Sequence, residues 1–82
     1  MNATVVHEQI TKQLLAKLEE SRWLHVQLMN RIEARIQTRD ELEQYLNVLV
    51  AKFEGTEFRS EALLDRIDRI MGLLERLDRA QA

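Results

Sequence analysis

Apolar side chains recur along this chain at spacings of three and four, and one seven-residue frame carries them from end to end. One seam position reads Leu14, Ser21, Leu28, Arg35, Leu42, Leu49, Thr56, Leu63, Ile70 and Leu77. Its partner four residues on reads Leu18, His25, Ile32, Arg39, Leu46, Phe53, Ser60, Ile67 and Leu74. Residues at i, i+4 and i+7 share one face of a helix, so the pattern predicts a continuous apolar stripe with polar interruptions. Strand-type alternation is not sustained anywhere. The chain is expected to be all-α.

The clearest break is Glu54-Gly55-Thr56. Glycine is the residue that most readily takes the left-handed conformation at a helix end, and Thr56 can cap a following helix with Glu57 in its first turn. Ser60 is a rival cap slightly later. A softer signal lies at 37–40, where Thr38 and Glu41 have capping-box spacing and no apolar residue falls between Ile36 and Leu42. None of these residues is a strong breaker. The expectation is therefore one helix over about 5–53, with 37–40 as the place it would be interrupted. A turn at 54–56 and a second helix over about 57–80 complete a single domain.

Lengths then make the two arms unequal. At 1.5 Å per residue the first helix would run about 74 Å and the second about 36 Å. Folding back at Gly55 sets Leu49 near Leu63, Leu46 near Ile67 and Leu42 near Ile70. Ile10, Leu14, Leu15, Leu18, Leu24 and Leu28 are then left without cover, and apolar surface of that extent marks an association face. The fold class predicted is an all-α, coiled-coil-like helical hairpin with unequal arms, assembling into a helical bundle as a homodimer or other homo-oligomer.

Composition agrees. Ala, Glu, Lys, Leu and Arg make up 42 of 82 residues, proline and cysteine are absent, and there are two glycines. That is the make-up of long helices, and the missing cysteine removes disulfides and thiol chemistry. A chain this short rarely stabilises a lone core by more than about 3–5 kcal/mol, which again points to a partner. Twelve basic and fourteen acidic residues give a net charge of −2, spread evenly on both sides of Gly55. Nucleic-acid binding driven by clustered cations is disfavoured. Met1 to Ile10 has neither a basic start nor an apolar run, so no secretory signal is read. The longest apolar stretch, Val48-Leu49-Val50-Ala51, is far short of the roughly 20 residues that span a bilayer. A cytoplasmic protein without a membrane partner is expected.

Few residues suggest chemistry. Ser21 and His25 are four apart, so a hydroxyl and an imidazole would meet across one helical turn. No glycine-rich elbow or oxyanion loop accompanies them, and a polar seam layer sensitive to pH is the favoured reading. No metal-ligand spacing occurs, and no cofactor is called for. The segment Ser60-Glu61-Ala62-Leu63-Leu64-Asp65 resembles the Ser-Gln-x-Leu-Asp pattern of small two-helix phosphatases that act on response regulators. It departs from that pattern by one extra residue before Asp65 and by Glu61 in place of glutamine, so the family's roles are not carried over.

Charged rows complete the inventory. Asp65-Arg66, Asp68-Arg69, Glu75-Arg76 and Asp78-Arg79 place an acid beside each arginine, which reads as a solvated face with i,i+4 pairs such as Asp65–Arg69 and Glu75–Arg79. Arg31, Arg35 and Arg39 stand at i, i+4 and i+8 on the seam side. Inward pairing of Arg35 with Glu75 and of Arg31 with Asp78 is the first reading; docking of an acidic partner, or of nucleic acid, is the second. Trp23, with Val26 one turn along, lies opposite the seam as a second packing face, a partner anchor or a stray exposed side chain. The functional expectation is a non-enzymatic protein–protein interaction module: a small adaptor, assembly factor, chaperone-like or inhibitory regulator. The alternatives are a response-regulator phosphatase using Ser60, Asp65 or His25, and a nucleic-acid-binding regulator using the arginine row.

Overall fold

The computed structural model describes residues 3–21, 25–55 and 60–81. Within them the chain is all-α, with four helices: α1 Ala3–Glu20, α2 Val26–Arg35, α3 Arg39–Gly55 and α4 Glu61–Gln81. It divides into two compact units, Met1–Gln37 and Thr38–Ala82. In the first unit α1 packs on α2, and in the second α3 packs on α4.

The single helix expected over about 5–53 is thus three helices. The soft signal at 37–40 proves decisive. Ile36 closes α2 with extended backbone (φ −63°, ψ 122°) while its amide still donates to the Ile32 carbonyl at 3.1 Å. Thr38 then opens α3 with a reciprocal capping box. The Glu41 amide donates to Thr38 Oγ1 at 3.1 Å, and the Thr38 amide donates to Glu41 Oε1 at 3.2 Å. Two otherwise unpaired donors are satisfied at once, and this offsets the helical bonds given up at the break. Asp40 and Glu41 in the first turn also suit the positive end of the helix dipole.

A further break, between Glu20 and Val26, was not expected at all. His25 stands at the N-cap of α2 without a side-chain capping bond. The Met29 amide donates to its carbonyl at 2.9 Å, which is the first bond of the new helix.

At the third break Gly55 is the last residue of α3, and no glycine among the described residues has a positive φ. The left-handed ending proposed for Gly55 is therefore replaced by an ordinary helical conformation. A cap by Thr56 lies outside the described residues. The rival cap is the one observed: Ser60 Oγ accepts the Leu63 amide at 3.3 Å and its carbonyl accepts the Leu64 amide at 3.0 Å. The second helix accordingly starts at Glu61 instead of Glu57.

Two cores result. In the first unit Leu15, Leu18, Met29 and Ile32 are buried, together with Thr11, whose hydroxyl donates to the His7 carbonyl at 2.9 Å. That local bond makes a polar group acceptable inside. In the second unit Leu42, Tyr45 and Leu49 of α3 and Leu63, Ile67 and Ile70 of α4 are buried. The seam positions Leu46 and Phe53 are only half-buried, and Tyr45 takes the place the frame gave to Leu46. Glu41 and Lys52 are buried as well, and burial pushes the Lys52 ammonium below the usual lysine range.

Candidate functional site

The association face expected on the N-terminal arm is largely covered within the chain. Leu15 and Leu18 are 6% and 0% exposed, and Ile10, Leu14 and Leu28 are half-buried. The premise that these side chains lack intrachain cover is overturned, because the arm breaks after Glu20 and α1 acquires α2 as a neighbour. Leu24 lies outside the described residues, as does Trp23. Val26, by contrast, is 51% exposed at the start of α2.

The arginine row is divided in the same way. Arg31 lies midway along α2 and Arg35 ends it, exposed and half-buried respectively, whereas Arg39 is the first residue of α3. They do not form one helical face. Asp78 takes Arg39 as its partner, not Arg31. Arg39 Nε donates to Asp78 Oδ1 at 2.5 Å and Nη2 to Oδ2 at 3.2 Å, while Nη1 donates to Glu43 Oε2 at 2.8 Å. The guanidinium bonded to it holds the Asp78 carboxyl below the usual carboxylate range, and the same contact raises Arg39 further. This pairing follows from the later start of α4. With α3 ending at Gly55 and α4 beginning at Glu61, residue 39 comes opposite the region of 78. Both side chains remain exposed, so the pair fixes register more than it adds stability.

His25 is exposed at a helix boundary and does not form a buried seam layer. Ser21 and His25 both lie outside the helices, so the one-turn geometry imagined for a hydroxyl–imidazole pair is absent. Ser60 uses its hydroxyl as a helix cap, and Asp65 is exposed one turn further along α4. At the expected Glu75–Arg79 pair, Arg79 Nε donates to the Glu75 backbone carbonyl at 3.4 Å instead of to its carboxylate, and Arg76 Nε likewise donates to the Gly72 carbonyl. Among the described residues no cluster of three His, Asp or Glu side chains is placed to hold a metal ion, and no helix is long and apolar enough to cross a membrane.

What remains is a surface on α4 that the seam alone did not single out. At about 100° per residue, Leu63, Ile67, Ile70 and Leu74 lie along one line of this helix. Leu64 and Met71 sit on one side of that line, and Leu73 and Leu77 on the other. The apolar arc therefore covers about half the circumference. One neighbouring helix buries Leu63, Ile67 and Ile70 of that line and half-buries Leu74, and the four flanking side chains are 39–43% exposed. The signal was present in the sequence as Leu-Leu doublets at 63–64 and 73–74, which a strict seven-residue seam cannot accommodate on one line.

No family model matches the chain, and neither a curated protein nor a solved structure matches it.

Proposed function

We propose that the chain is a protein–protein interaction module without chemistry of its own, acting in the cytoplasm as an adaptor, assembly factor or inhibitory regulator, with α4 as its contact element. One observation carries this reading: the apolar arc of α4 is wider than a single packed helix covers, so Leu64, Met71, Leu73 and Leu77 stay in water. Large apolar side chains held exposed on a rigid helix are the usual anchor of a helical interface. Because these side chains flank a buried line, a partner helix laid beside α4 would complete a bundle without disturbing the existing core. The phosphatase alternative finds Ser60 engaged in capping. The nucleic-acid alternative loses its continuous arginine row.

A photocrosslinking residue placed at Leu73 of the full chain tests this. A discrete adduct should form from position 73 and not from the exposed outer position Ala51. Leu77→Lys should abolish that adduct, while shifting stability by no more than about 0.5 kcal/mol, as surface changes do. Equal adducts from positions 73 and 51, or an adduct indifferent to Leu77→Lys, would reject the reading.

A further inference from the structure

The two flanks of α4 differ in charge. Beside Leu64 and Met71 the helix presents Asp68 and Glu75, and beside Leu73 and Leu77 it presents Arg69 and Arg76. The assignment follows from rotation alone: about 100° per residue puts 64, 68, 71 and 75 on one side of the buried line and 69, 73, 76 and 77 on the other. All eight side chains are exposed. The Asp68-Arg69 and Glu75-Arg76 steps straddle the outer face, each sending its acid to one flank and its base to the other, while Asp65 and Arg79 lie near the outer midline. The steps are close to neutral when counted along the sequence, yet around the helix they make one apolar–acidic edge and one apolar–basic edge.

Such edges are complementary to each other and not to themselves. We propose that the partner of α4 is a second copy of this chain, docked with its basic flank on the acidic flank of the first. Laid parallel and in register, two α4 helices set Met71 beside Leu73 of the next copy, Asp68 beside Arg69 and Glu75 beside Arg76. Each apolar contact is then bracketed by opposite charges. A two-fold pair through either flank sets like charges together, acid on acid or base on base, and is disfavoured. The contact is thus heterologous: every copy added leaves one acidic and one basic flank free, so assembly continues past the dimer. Asp78, at the C-terminal end of the acidic edge, already accepts a guanidinium from Arg39 within the chain.

This proposal rests on α4 being the contact element and adds what it contacts. Light scattering on the full chain from micromolar to millimolar concentration tests it. At low salt the mean mass should climb from 9.7 kDa past twice that value, and high salt, which shortens the reach of exposed charges, should return it toward the monomer. Two charge-reversed chains give the sharper experiment. Asp68→Lys with Glu75→Lys makes both flanks basic, and Arg69→Glu with Arg76→Glu makes both acidic. Each should stay at 9.7 kDa alone, and an equimolar mixture should recover the larger mass. Helix content by circular dichroism checks that both chains fold; where one does not, Asp68→Asn with Glu75→Gln replaces it and should lower the mean mass at a given concentration. A wild-type mass that stops at the dimer, or a mixture of folded variants that does not recover, would overturn the proposal. So would a wild-type chain that stays monomeric throughout; an adduct from Leu73 to a different protein would then leave the interaction module standing without self-docking.

Discussion

The two helical hairpins of this protein are built from the same kinds of residues and held in different ways. In the second, both helices begin with a side-chain cap, Thr38 on α3 and Ser60 on α4, and Arg39 bridges from the start of one helix to the end of the other. In the first, α2 has ten residues and begins at His25 with no capping side chain. Ten residues is below the length at which a helix sustains itself in water, so α2 depends on packing through Met29 and Ile32. The second hairpin fixes its helix ends locally and then packs them; the first relies on packing to define its ends. A short helix without a cap shifts against its neighbour at less cost than one that is capped and bridged.

Core truncation probes this difference with the largest effect. Leu18 and Leu49 are both fully buried, one in each hairpin. Each replaced by alanine should lose about 2–5 kcal/mol, with Leu49→Ala toward the upper end because the pinned hairpin closes less of the cavity. Amide hydrogen exchange, read separately in each hairpin, gives both values. Equal losses would erase the distinction between a pinned and an adjustable hairpin.

Cap exchange comes next in size. Thr38→Ala removes the capping box and should lower stability by about 1 kcal/mol. His25→Asp supplies α2 with the cap it lacks and a favourable charge at the helix start, and should raise stability by about 0.5–1 kcal/mol. Urea denaturation of the two variants beside wild type shows both signs. A gain from His25→Asp would mean that the first hairpin is limited by its helix end, and no change would mean that packing alone sets it.

The smallest effect belongs to the bridge. Asp78 has a depressed pKa when folded, so its contribution is present above the ordinary aspartate value of about 3.9 and is lost as pH falls through the lower folded value. An NMR titration should place the Asp78 carboxyl below an unpaired aspartate, and Arg39→Gln should return it toward the ordinary value. Because both side chains are exposed, salt should weaken the shift. A titration unmoved by Arg39→Gln would remove the bridge from the comparison.

Much of this is legible in the chain, although the weight of each signal is not. Polar interruptions of the stripe fall at helix boundaries: Ser21 and His25 flank the first, Arg35 and Arg39 the second, and Ser60 stands at the start of α4. Two successive polar seam residues leave a helix with nothing to pack for about two turns, and a nearby threonine or serine can then cap a new start. Read as polar layers of one long helix they suggested an uncovered arm; read as boundaries they give short helices with partners close at hand. The flanking surface of α4 was visible only as leucine doublets, because a seam drawn as a line does not record how wide an apolar arc is.

By itself the sequence determined that the chain is helical, through a period near 3.6 that no strand can satisfy, and it placed the signals for the two side-chain caps, Thr38 and Ser60. Those are local matters, settled by side chains within one turn of the backbone they bond. Only the tertiary structure decided which signals were used. A capping box is a stop when the segments on either side find burial apart, and a surface feature when one longer helix buries more. That balance depends on contacts between residues far apart in the chain, such as Arg39 with Asp78, and on how much of each apolar arc a neighbouring helix can reach.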